Sequence, residues 1–169
     1  MGVEVNGIAH IQLTVREASG ISFWEKLCHF LEMRTLIKGD EIVYCIGSRT
    51  GILVRTDPEA RSRGPFDQLR AGLHHFCFRA RQREDVDAIH RFLVTELGAK
   101  IVHPPEDAPH FAPGYYSVLF EDPDGIRVEV NHVPGKGHLG AEGRLGPGGE
   151  GPAGDYGEGG LMGRRGRGG

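Results

Sequence analysis

Gly7-Ile-Ala-His-Ile-Gln-Leu-Thr-Val15 and Gly72-Leu-His-His-Phe-Cys-Phe-Arg-Ala80 are two copies of one pattern, 65 positions apart. In the first copy the even positions His10, Gln12 and Thr14 are polar. The odd positions Ala9, Ile11, Leu13 and Val15 are apolar. A period of two over eight residues predicts a strand with one buried face. A second pair supports the repeat: Thr50-Gly-Ile-Leu-Val-Arg-Thr56 is echoed by Asp122-Pro-Asp-Gly-Ile-Arg-Val-Glu-Val130.

The segments between these strands follow the same order twice. After the first strand, Ile21, Trp24, Leu27, Cys28 and Leu31 fall at spacings of three and four, predicting a helix over 18–32. Strands are expected at 33–38, 41–47 and 51–55. The polar stretch 56–71, with Pro58, Gly64 and Pro65, reads as a connection. The pattern then restarts with a strand over 73–80. A helix follows over 83–97, carrying Val86, Ile89, Phe92, Leu93 and Leu97 and closed by Gly98. Strands at 99–103 and 114–121, the turn Asp122-Pro-Asp-Gly125 and a strand at 126–132 complete it. The order is βαβββ twice, an α+β organisation.

Composition bounds the rest. The chain has 169 residues, 38% apolar, with a formal charge of −3. That suits a globular body and gives no reason to expect a nucleic-acid partner. Sixteen of the 27 glycines fall in the last 35 residues. Residues 135–169 are therefore expected to be a disordered Gly-rich tail, leaving 5–134 as the folded domain. The tail's Arg164-Arg-Gly-Arg-Gly-Gly169 is too short to argue for RNA. Three cysteines without metal-type spacing fit a reducing compartment. No signal peptide and no run of transmembrane length is visible, so a cytoplasmic protein without a membrane role is expected.

Strand parity assigns faces. His10, Gln12 and Thr14 share one face, His75 and Cys77 share one face of the second copy, and Arg127, Glu129 and Asn131 share a face of the last strand. The apolar faces must meet helices, which leaves the polar faces to line a concave space. Two histidines and a carboxylate at repeat-related positions form an N,N,O set for a divalent cation with open coordination positions. His74, of opposite parity, reads as a core or helix-facing residue. His110, on the Pro-rich loop, is a candidate general base. Tyr116, or its neighbour Tyr115, is a candidate phenol. Arg55 and Arg127 are candidate holders of an anionic substrate group, with Gln12 and Asn131 on the same polar faces.

The stretches "HIQLTV", "FWEKLCHFLEM", "HFCFRA" and "FEDPDGIRVEV" resemble the vicinal oxygen chelate superfamily over residues 7–133. That group includes glyoxalase I, extradiol dioxygenases, fosfomycin-resistance enzymes, methylmalonyl-CoA epimerase and bleomycin-binding proteins. The resemblance implies tandem βαβββ modules forming a cup-shaped mixed sheet with helices outside. It implies a divalent metal (Fe, Mn, Zn or Ni) on His10, His75 and Glu129, a small substrate chelated through vicinal oxygens, and a homodimer. The modules would close on each other within one chain or across the dimer. The reaction implied is dioxygenase-like or lyase/isomerase-like, and the alternative is a metal-free binding protein of the bleomycin-resistance kind.

The chain also departs from each subfamily. Glyoxalase I and the epimerase carry a fourth ligand on the last strand of the first module, where the aligned residue here is Arg55. The extradiol enzymes' Tyr is replaced by Leu119, and 56–72 lacks their His. The fosfomycin enzymes' Thr is replaced by Gln12, and no Lys lies between Ile101 and Lys136.

Overall fold

A computed structural model describes residues 2–135, apart from Glu4, Asn6 and Ser48. The Gly-rich tail expected over 135–169 lies outside the described residues from Lys136 onward. Contacts divide the chain into two compact units. One comprises Met1–His75, Arg91–Lys100 and Glu121–Arg127. The other comprises Phe76–His90, Ile101–Phe120 and the described residues from Val128 on.

The first unit holds β1 (His10–Val15), α1 (Ala18–Phe30), β2 (Arg34–Gly39), β3 (Ile42–Gly47), β4 (Thr50–Thr56) and α2 (Pro58–Arg63). Its sheet has the order β1-β4-β3-β2, with β1 parallel to β4 and the other neighbours antiparallel. Register sorts the side chains into two faces. Leu13 opposes Val54, which opposes Val43, and Ile52 opposes Cys45. With Val15, all of these are buried. From α1, Ile21, Phe23, Trp24, Leu27 and Cys28 are buried as well. Removing Trp24 and Leu27 wholly from water contributes roughly 2–3 kcal/mol each. The other face carries His10, Gln12 and Thr14, all exposed. The parity read from the sequence is the parity observed.

The turn Asp122-Pro-Asp-Gly125 belongs to this unit. The Asp122 N–H donates to Ile126 O (3.0 Å), and Gly125, at φ +85°, donates to Asp122 O (3.0 Å). A Cβ at Gly125 would stand 3.3 Å from Phe66 O, so this position favours glycine on two counts.

The second sheet has the order β5-β8-β7-β6, with β5 (Phe76–Arg79) parallel to β8 (Arg127–His132). Helix α3 (Arg83–Phe92) runs into a π-helical turn, Leu93–Leu97, which ends at Gly98 in the left-handed region. β6 (Lys100–Asp107) and β7 (Tyr116–Glu121) complete the module. The second unit buries Val86 and Ile89 of α3 with Val118, Phe120, Val128 and Val130 of its strands.

Three expectations are corrected. The connection 56–71 contains a helix, α2, started by Asp57, whose side chain accepts from the Glu59 N–H (2.9 Å), and by a proline in its first turn. β5 begins at Phe76, so His74 and His75 precede the strand and period-two parity does not govern them. β6 runs on to Asp107 through Pro104 and Pro105, which an edge strand tolerates. No helix among the described residues is long and apolar enough to cross a membrane.

Candidate functional site

The second unit contributes a polar cluster in which Glu129 and Asn131 are buried and Cys77 and Arg79 are exposed. In the β5–β8 register Cys77 opposes Glu129 and Arg79 opposes Asn131, so these four share a face. Glu129 is only 2% exposed. Its Oε1 accepts a 2.6 Å hydrogen bond from the Tyr115 hydroxyl. Asn131 and the Cys77 thiol lie near enough to act electrostatically on this pair, and the Cys77 thiol donates to Phe78 O (3.4 Å). Loss of hydration, followed by the hydrogen bond to Glu129 and its charge, lifts the Tyr115 phenol far above its ordinary value. The phenol is therefore a fixed donor. Loss of hydration, then the charge of Glu129 and a hydrogen bond to it, raises the Cys77 thiol as well.

A small apolar cluster sets Tyr115 in place. Ala108, Ala112, Tyr115 and Val133 are buried together, with Phe111 packed against them. The Phe111 and Tyr115 ring centroids are 5.2 Å apart. Backbone bonds clamp the loop: Ala108 N–H donates to Tyr115 O and Tyr115 N–H to Ala112 O, each 2.9 Å. Of the two adjacent tyrosines, the phenol on Glu129 is therefore Tyr115. Tyr116, singled out from the sequence, donates instead to Asp87 of α3 (2.6 Å), and Arg83 lies 3.5 Å from its ring centre. His110 is exposed on this loop, with its ring 4.2 Å from that of Phe111.

The first unit contributes the imidazoles. His10 is exposed on the open face of β1, and its register partner is Gly51 of β4. Tyr44 lies across that glycine: a Cβ there would come within 2.6 Å of the Tyr44 Oη. Tyr44 was not found from the sequence, and only the Gly51 gap reveals its place beside the His10 position. His75 is half-buried, and its Nδ1 lies 2.7 Å from Nδ1 of His74, with the two rings at 81°. Loss of hydration, then the nearby His75 and Arg127, lowers the His74 pKa, which favours a neutral ring.

Register revises the equivalence between the copies. Gln12, the counterpart of Cys77, opposes Leu53, whereas Arg55 opposes Thr14 one step further along the same face. The counterpart of Glu129 is thus Leu53 by register and Arg55 by sequence alignment, and neither supplies a carboxylate. Arg127 is engaged by Glu121 (3.0 Å), which also takes Lys100 (2.8 Å). Burial would raise the Glu121 carboxyl, but these two cations hold it below its ordinary range. Arg55 and Gln12 are exposed, and Asn131 is buried beside Tyr115.

A cleft of about 460 Å³ in the first unit is lined by Thr14, Arg16, Arg63 and Arg70 among others. All three guanidiniums are already paired, with Asp124, Glu59 and Asp67 respectively, so it is not a ready anion site. Among the described residues no three His, Cys, Asp or Glu side chains are gathered as a metal-holding group. The donor types of His10, His75 and Glu129 suit a divalent cation.

Residues 7–130 match the family model of the Glyoxalase/Bleomycin resistance protein/Dioxygenase superfamily. Solved structures share the fold. A protein from Bacillus halodurans, provisionally described as a glyoxalase, is 27% identical with a TM-score of 0.64, over 76% of this chain and 96% of that one. Lactoylglutathione lyase from Agrobacterium tumefaciens is 23% identical with a TM-score of 0.55, over 76% and 94%. A fosfomycin resistance protein from Mesorhizobium loti is 14% identical with a TM-score of 0.55, over 77% and 94%. No curated protein matches the sequence.

Proposed function

Because this chain belongs to the Glyoxalase/Bleomycin resistance protein/Dioxygenase superfamily, we propose that it is a divalent-metal-dependent enzyme acting on a small substrate held through two adjacent oxygens. The observation that carries the reading is Glu129: a carboxylate 2% exposed, on the last strand of the second module, at the position the resemblance assigns to a ligand. Burying a carboxylate is costly, and a bound cation would offset much of that cost. His10 and His75 are the proposed partners of Glu129. Fe, Mn, Zn or Ni held there would supply Lewis-acid polarisation of the chelated oxygens. Tyr115 holds the Glu129 carboxylate. Gln12 and Arg55, exposed on the open face of the first sheet, are the proposed holders of polar or anionic substrate groups. A three-donor set is compatible with dioxygenase-like and with lyase- or isomerase-like chemistry. The proposal includes a cytoplasmic homodimer.

The test is metal analysis of protein purified without chelator or nickel affinity, followed by oxygen uptake across catechols and other vicinal-oxygen compounds. Near-stoichiometric Fe, Mn, Zn or Ni, lost in His75→Ala, supports the reading. Metal-free protein that also fails to bind added metal overturns it. A second reading, a metal-free small-molecule binding protein, is favoured by the lack of a ready three-ligand group among the described residues. Ligand binding that is indifferent to chelator would select it.

A further inference from the structure

Each of two proposed ligands meets a neighbour that is not itself a proposed ligand. In the second unit the Tyr115 hydroxyl donates to Glu129 Oε1 at 2.6 Å, with both side chains buried. The ring is wedged beside Phe111 and between Ala108, Ala112 and Val133, so the phenol has little freedom to turn away. In the first unit His74 Nδ1 and His75 Nδ1 stand 2.7 Å apart. A nitrogen pair this close requires one ring to carry the shared proton and the other to offer a lone pair. With His75 as the donor and His74 as the acceptor, the His75 proton sits on Nδ1 and its Nε2 carries the lone pair a cation needs.

We infer that Tyr115 and His74 are positioning residues: the phenol orients the Glu129 carboxylate for a cation, and His74 orients the His75 ring so that Nε2 is its ligating atom. This rests on the reading of Glu129 and His75 as ligands. The physical role is that of outer partners at metal sites, which fix the ring orientation and tautomer of a histidine and the direction of a carboxylate. Their loss typically weakens metal binding about tenfold to a hundredfold. Tyr115 is 14 residues from Glu129 and outside β7, so no strand periodicity reveals the pairing.

The experiment titrates the full chain with Zn²⁺ by calorimetry and with Co²⁺ by visible absorption. Tyr115→Phe keeps the ring against Phe111 and removes only the hydroxyl. His74→Phe removes the nitrogen, and His74→Asn restores an acceptor at similar reach. The expected result is a Kd about tenfold to a hundredfold weaker in Tyr115→Phe and His74→Phe, with an altered cobalt spectrum and partial recovery in His74→Asn. A merely structural role would lower the unfolding temperature and leave the Kd and spectrum alone. Unchanged Kd and spectrum in both variants, with binding abolished in Glu129→Gln and His75→Ala, overturns the positioning roles. Metal binding that survives Glu129→Gln and His75→Ala overturns the ligand reading instead.

Discussion

Asp122→Asn is the substitution for which the structure gives both a sign and a size. The carboxylate is 4% exposed and accepts three bonds. Oδ1 takes the backbone N–H of Asp124 (2.9 Å) and of Ile126 (2.8 Å), and Oδ2 takes the Trp24 indole N–H (2.8 Å). An amide has one acceptor oxygen, so one donor set must face an NH₂ group, at a cost of about 1–3 kcal/mol. The pH dependence is more diagnostic. Burial pushes the Asp122 carboxyl up to about 6, from an ordinary 3.8, against the pull of those three bonds. A pKa raised on folding means the native state holds the proton more tightly than the unfolded chain. The resulting stabilisation is complete below about pH 4 and is lost as pH rises through about 6. The difference between the two values corresponds to roughly 3 kcal/mol at most.

Asparagine does not titrate, so the variant lacks this term. The wild type should therefore gain on Asp122→Asn by up to roughly 3 kcal/mol as pH falls from about 7.5 to about 4. Urea unfolding followed by fluorescence of Trp24, the single tryptophan, at a series of pH values measures the gap. A gap that does not change with pH, or one that widens as pH rises, refutes the reasoning.

Other substitutions probe the frame around the site. Trp24→Phe should destabilise by about 1–3 kcal/mol in equilibrium unfolding, because it strands one oxygen of a buried carboxylate. Gly51→Ala places a Cβ 2.6 Å from the Tyr44 ring edge and hydroxyl, so either Tyr44 swings out or the β1–β4 pairing shifts. A loss of about 1–3 kcal/mol, with changed Tyr44 side-chain resonances, is expected. Tyr116→Phe removes the bond to Asp87 and should cost about 1 kcal/mol in the same assay.

The fold was largely legible because its signals are periodic. Alternation in His10–Val15 placed Leu13 and Val15 in the core and left His10, Gln12 and Thr14 on the open face, as observed. The Asp-Pro-Asp-Gly turn announced itself through residues with only a few compatible conformations. Helix α2 was missed because it buries no residue and so leaves no apolar stripe. The π-helical turn after Phe92 was also hidden, since one extra residue per turn barely disturbs a short helical pattern.

The neighbourhood of the candidate site was legible only in part. Glu129 stood out as a carboxylate in an apolar strand, and burial supports its distinction. The choice between Tyr115 and Tyr116 was not readable. The bend from Ala112 to Tyr115 resets the alternation just before β7 begins. The equivalence of Arg55 with Glu129 depends on what is aligned. Sequence alignment follows the glycine of each turn, whereas strand register sets Leu53 beside Gln12. The His74–His75 contact arises from chain that is not strand, where side-chain direction does not alternate.

The central claim concerns three donors on one ion, and anomalous scattering from crystals of the metal-loaded protein, recorded across the metal's absorption edge, tests it most directly. One strong peak bonded by a nitrogen of His10, Nε2 of His75 and an oxygen of Glu129, from one copy or shared between two, is the predicted result. No ordered peak under saturating metal, or a peak held by other side chains, would contradict it.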